Sequence, residues 1–266
     1  MANNLQKYPR IYQRFAVNSI LEELEYRVAF LFTNLTGMLW TLGTFFFIYV
    51  IFTQASSVGG WDKHSMILLY LTFSITTDLF HIFLRTSLER FTRLIRDGAL
   101  DGFLLKPVNS RFMVSLISGR LGFNVVFRLV VAVALLLHYA SISSPSIVAW
   151  ASYVFFIVLG LISVYSLIFL IHTLNIWFVR LDNLTHFSFT TMEIAKVPLD
   201  SWPKLVQDLL VYLVPIGIVS TFPVRALLGQ IDPSAFMVAP AVTLLMLFIS
   251  QRFWHFALRF YSSASS

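Results

Sequence analysis

Charged side chains are scarce in this sequence, so the few that interrupt its apolar runs are the first place to look for chemistry. Asp78 is the one charge in the run 66–84, Arg128 lies inside the next apolar stretch, and Glu193 stands three residues before Lys196. Ionisable groups at membrane depth are costly and face protein or water. Asp78 lies about two helical turns from the end of its run, and Arg128 about two turns past Arg120. The two fall at similar depth and are placed to pair. Two readings follow: a structural ion pair, or a role in moving a substrate or proton. Glu193 is placed to pair with Lys196 or to line a cavity. Asp78 and His81 have an i, i+3 spacing that suits a metal on one helix face. Two ligands do not make a zinc site, and the six histidines form no H-E-x-x-H cluster. With no cysteine in the chain, thiolate nucleophiles and disulfides are excluded. No convergent acid, base and metal set marks an intramembrane enzyme.

These residues need lipid-spanning helices to hold them. Of 266 residues, 58% are hydrophobic and 12% charged, against about 25% charged in soluble domains. The composition is that of an all-α integral membrane protein. A spanning helix takes about 20 apolar residues, and the runs 28–52 and 66–84 qualify. Residues 112–140 read as a third span, entered through a wet first part that holds Arg120. No Lys, Arg, Asp or Glu occurs from 129 to 179, and "SISSPS" at 141–146 divides that run into the end of the third span and a fourth. Residues 235–256 form the last. Trp61 stands just outside the second run, where an aromatic belt would place it.

The region 181–229 admits two readings. In one, 181–197 is a fifth span, and 203–229, broken by Pro215 and Pro223, dips back into the membrane as a helical hairpin. In the other, 205–228 is the fifth span. Proline-broken backbone at membrane depth needs protein or water against it, which favours the first. Either way six spans are expected, forming one transmembrane domain over 1–266. Residues 1–27 are polar, and Ile11, Phe15, Leu21, Leu24 and Val28 fall on one helical face, the pattern of an amphipathic helix on the membrane surface.

In the first reading one side of the membrane holds only Lys63, Lys196, Lys204 and Arg225, and the other holds nearly all remaining basic residues. The positive-inside rule makes that richer side cytoplasmic, with both termini on it. The net charge of +6 then reflects topology rather than nucleic-acid binding, for which a basic soluble face with interleaved aromatics is missing.

Residues 85–111 form the main polar interruption on the cytoplasmic side. Thr86-Ser87-Leu88-Glu89 has capping-box spacing and predicts a helix start. Leu88, Phe91, Leu94 and Ile95 make an apolar stripe opposite Arg90, Arg93 and Arg96. Gly98 is a helix stop. Residues 100–105 make a second short amphipathic turn between Asp101 and Lys106, and Pro107 ends it. Asn109 or Ser110 caps the next helix. The apolar sides of these helices need a cover, either lipid headgroups or a docked soluble partner.

The stretch "IRDGALDGFLLKPVNSRF" at 95–112 resembles the loop after the second span in permeases of the ABC-2 family of transporter proteins. Ile95, Gly98, Leu100, Asp101, Leu104, Leu105, Lys106, Pro107 and Val108 carry the likeness. "PLDSWP" at 198–203, "LVPIGIVSTFPVRALLG" at 213–229 and "RFYSSASS" at 259–266 resemble the family's segment before the last span and its C-terminal end. The resemblance implies a six-helix half-transporter with coupling helices at 85–111, spans 1–2 at 28–84, spans 3–4 at 112–179, span 5 with an outer re-entrant hairpin at 181–229, and span 6 at 235–256. It implies a second permease beside it, identical or a sister subunit, and ATP-binding cassette ATPases beneath. The coupling role then falls on Arg93, Arg96, Gly98, Leu100, Asp101, Leu104, Leu105, Lys106 and Pro107, and a bacterial inner membrane is the expected location. The sequence contains no G-x-x-x-x-G-K-[ST] loop. ATP and Mg²⁺ are therefore expected on a partner subunit, with no cofactor on this chain and no enzymatic step. The alternative is a secondary transporter that couples ions through Asp78, Arg128 and Glu193.

Overall fold

The computed structural model describes residues 27–106, 109–116, 123–178, 187 and 190–261. The expected amphipathic N-terminal helix, Arg120, Pro107 and most of 181–189 lie outside them. Among the described residues the regular structure is helical, and five helices are long and apolar enough to cross a membrane. They are carried by α1 (Arg27–Gln54), α2 (Lys63–Phe80), α6 (Phe123–Ser143), α7 (Ile147–Thr173) and α10 (Ala235–Ala257).

A turn over 55–62 joins α1 to α2. Val58 and Trp61 exchange backbone hydrogen bonds there, while Gly59 and Gly60 take positive φ. Gly59 is also pressed against its neighbour: a Cβ on it would lie 2.3 Å from Ser201 Oγ. Asp62 caps α2, accepting from Ser65 N at 3.1 Å. On the same end of the bundle, His64 Nε2 meets the Tyr139 carbonyl at 2.9 Å, near the turn between α6 and α7. Ser146 caps α7 there through Ala149 N, as the break in "SISSPS" requires.

The opposite end departs from the sequence expectation. No helix starts at Thr86. α2 passes through a π-helical turn, His81–Arg85, directly into α3, Thr86–Arg96. Residue 85 is helical and makes no cap, and Glu89 pairs with Arg85 at 2.9 Å instead of reaching back to Thr86. Lys63–Arg96 is thus one helical path of 34 residues, about 51 Å long at 1.5 Å per residue. The hydrocarbon core is about 30 Å, so this path is longer than one span requires. Gly98 does stop the helix, at φ +67°. Gly98 N donates to the Ile95 carbonyl and Ala99 N to that of Leu94, the paired bonds of a Schellman cap.

α4 (Asp101–Leu104) follows, then α5 (Ser110–Leu116). Asn109 caps α5 by accepting from Phe112 N at 3.1 Å. Ser110 instead takes the indole proton of Trp254.

After α7 the chain changes ends. Trp177 lies with Phe256 and Phe260 beside the end of α10, whereas Ser201 touches the 55–62 turn. A 3-10 turn, Glu193–Lys196, lies between them against the middle of α2, with Lys196 over the Phe73 ring. Residues 205–228 are not one spanning helix. α8 (Lys204–Asp208) leads through a π-turn, Leu209–Leu213, to an irregular stretch, and α9 (Thr221–Leu227) runs out again.

The irregular tip is deep. Thr76 Oγ1 donates to the Val219 carbonyl at 3.3 Å. Gly160, midway along α7, faces Ile218 and Val219 so closely that a Cβ would lie 3.1 Å from their backbone. Ile216, Ile218 and Val219 are buried. Protein therefore covers this broken backbone, as membrane depth demands.

Candidate functional site

Two regions carry the residues singled out by sequence. The deeper is a cavity of about 550 Å³ between α1, α2, Arg128 and the 193–196 turn. Its wall holds Asp78, Arg128, Glu193, Lys196, His81 and Thr77, with Phe32, Trp40, Tyr70 and Phe73 among the apolar lining. Asp78 sits on the buried face of α2 and is 3% exposed. Arg128 Nη2 donates to its Oδ1 at 2.8 Å. The side chain of Arg128 reaches past α1 at Gly37, where a Cβ would stand 3.2 Å from its Cδ. A small residue there leaves the guanidinium its path. Asp78 Oδ2 and Thr77 Oγ1 are buried with no hydrogen-bond partner. Glu193 both pairs with Lys196 and lines the cavity. Among the described residues, no group of His, Asp and Glu side chains is arranged to hold a metal.

The second region is the end of the bundle formed by α3 and α4. Its apolar stripe has a cover, and the cover is this chain. Leu88, Phe91, Ile95 and Leu100 are buried. Phe91 stacks on Phe169 of α7 with ring centres 5.7 Å apart, and Trp254 of α10 meets both rings edge-on. Neither headgroups nor a docked protein are needed over those residues.

Arg93, Arg96, Lys106 and, above all, Leu105 remain outward, the last 86% exposed. Leu104 is half-buried against the core. Arg96 meets Asp97 at 3.3 Å, and Lys106 lies over the Phe103 ring at 4.9 Å. The expected coupling residues thus separate into an inward set and an outward set, a split invisible in the spacing of "LDGFLLK".

Three residues that sequence placed at water-facing edges prove to be internal anchors. Trp61 is buried rather than set in a lipid belt, and its Nε1 donates to Asp200 Oδ2 at 2.8 Å. Arg225 pairs with the other oxygen of Asp200. Arg111 is buried beneath the α3–α4 end, donating to Tyr165 Oη at 2.9 Å and Ser250 Oγ at 2.8 Å, with its guanidinium over the Phe169 ring. It ties α5 to α7 and α10.

The family described as ABC-2 family transporter protein matches residues 38–265. The chain belongs to that family. It is a multi-pass transmembrane permease of ABC transport. No significant match is found among curated proteins or among solved structures. The matched range takes in both regions: the cavity wall from Trp40 onward, and the whole α3–α4 end of the permease.

Proposed function

We propose that this chain is the permease subunit of an ATP-powered exporter, with its cytoplasmic ATPase docking on the outward residues of α3 and α4. It works in a bacterial inner membrane as a six-span half-transporter with both termini cytoplasmic, beside a second permease, identical or a sister subunit. The ATPase supplies the bound ATP and Mg²⁺, and the permease makes and breaks no covalent bond.

One observation carries this reading. The helix that lines the cavity runs on without a break into α3, as the single path Lys63–Arg96. Beyond its stop at Gly98, the short helix α4 ends at an exposed leucine, Leu105, followed by Lys106. A partner that closes against Leu105 pushes, through α4 and the Gly98 turn, on the helix that carries Asp78. Phe91, Phe169, Trp254 and Arg111 pass the same push to α7 and α10. On α2, Thr76 grips the hairpin tip at Val219, so tilting α2 moves the tip as well. Such rigid-body shifts of packed helices are how a transporter alternates its access.

The test is affinity purification from membranes of a tagged wild-type chain and of Leu105→Asp. A P-loop ATPase accompanies the wild type and is lost from the variant, while both insert and unfold alike. Equal recovery of the ATPase with both proteins would rule out this docking surface, and its absence from both would remove the exporter reading.

A further inference from the structure

We propose that the cavity beside Asp78 binds an amphiphile headed by a primary ammonium, held with its head on Asp78 and Thr77 and its apolar body along α1. Binding stands on the cavity itself; that the bound molecule is cargo rests on the permease reading above.

Two buried oxygens on α2 lack a partner. Asp78 Oδ2 and Thr77 Oγ1 are buried and have no hydrogen-bond partner, and both residues line the cavity. An unsatisfied buried acceptor carries a substantial desolvation cost, and a carboxylate oxygen accepts only. The missing group is therefore a donor. Arg128 does not fill the role, because its contact is with the other oxygen, Oδ1. An ammonium brings three donors and a charge, and a charge-assisted bond is about twice as strong as a neutral one. Its three donors are enough for both Asp78 Oδ2 and Thr77 Oγ1, on successive residues of α2, which a single hydroxyl proton is not.

The rest of the cavity sets the body of the ligand. Phe32 and Trp40 line it and are also 66% and 70% exposed, so they form an apolar mouth on the outer face of α1. Tyr70 and Phe73 continue the aromatic wall inward. The volume of about 550 Å³ lies in the range of small-molecule sites. The four charged side chains on the wall, Asp78, Glu193, Arg128 and Lys196, sum to zero, so an ammonium meets no net positive field. An ammonium that also carries a phosphate finds Arg128 and Lys196 close by. The same chemistry thus comes from two sources, an aminophospholipid or a free long-chain amine.

The purified full-length chain, in phosphatidylcholine nanodiscs and without any ATPase, is exposed to a long-chain primary amine carrying a diazirine in its tail, and labelled peptides are mapped. Labelling should fall on 32–41 and 70–81. Dodecylamine should compete, while dodecyltrimethylammonium, with the same charge and no N–H, should compete about tenfold more weakly. Asp78→Asn should cut site labelling by about tenfold. Thr77→Val, which leaves the Asp78–Arg128 pair in place, should cut it severalfold and keeps the test sound if the first variant misfolds.

Competition by nanodiscs containing phosphatidylethanolamine identifies the lipid as the source, and its absence identifies the free amine. Labelling spread evenly over the lipid-facing helices, or equal competition by the two dodecyl compounds, would overturn the proposal. Because no ATPase is present, this result is independent of the Leu105 experiment, and either reading can fail alone.

Discussion

Asp200 and Asp78 each accept from one arginine, Arg225 and Arg128 respectively, yet only Asp200 has its second oxygen engaged, by the Trp61 indole at 2.8 Å. The Asp200 cluster sits where the 55–62 turn, the 198–203 segment and α9 meet, and no acceptor oxygen is left over. It is a fastening: three chain segments are fixed by one carboxylate. Asp78 lies deeper, is more buried, lines a cavity and keeps one oxygen without a partner. A saturated ion pair holds a structure in place, whereas an unsaturated one at the same kind of site retains the capacity to bind.

The largest effect should come from undoing the fastening. Asp200→Ala removes the acceptor from both Arg225 and Trp61 and should destabilise the chain by about 2–3 kcal/mol, the scale of hydrogen bonds to a charged group, read by equilibrium unfolding in mixed micelles. Trp61→Phe removes one of the two donors and keeps the ring, so it should cost about 1 kcal/mol in the same assay. Replacing the deep pair together, Asp78→Leu with Arg128→Met, should change stability by less than about 1 kcal/mol in either direction, because exchanging a whole buried pair for apolar groups is commonly neutral. The matching exchange of Asp200 and Arg225 should still destabilise, since the Trp61 N–H is left unpaired. Equal costs for the two exchanges would erase the distinction between fastening and site.

The sequence revealed the deep pair more readily than the fastening, for a physical reason. Asp78 and Arg128 stand out as charges within apolar helices, and helical rise alone puts them at one depth. Asp200, Arg225 and Trp61 lie near helix ends and turns, where charges are ordinary, and they meet only through tertiary contact across 139 residues. Arg111 was hidden in the same way among the basic residues that flank the spans.

The segment after α2 was legible in its stop and not in its start. Gly98 directly follows the apolar stripe and takes the positive φ that a helix stop needs. The capping-box spacing at Thr86, by contrast, lies inside a helix that a π-turn carries through, and Glu89 found Arg85 one turn back. Leu104 and Leu105 are identical by type, and only packing tells the inward one from the outward one.

That outward leucine allows the most direct test of the central claim, that an ATPase docks on the α3–α4 end and drives the helix leading to Asp78. The chain has no cysteine, so Leu105→Cys and Ser57→Cys each introduce a single reactive thiol, at opposite ends of the bundle. With 86% of Leu105 exposed, its substitution should shift stability by no more than about 0.5 kcal/mol. In membranes treated with a short thiol-to-amine crosslinker, Leu105→Cys should yield an adduct with a P-loop ATPase, altered in amount when ATP is supplied, and Ser57→Cys should yield none. An ATPase adduct from Ser57→Cys, or none from Leu105→Cys while transport persists, would contradict the account.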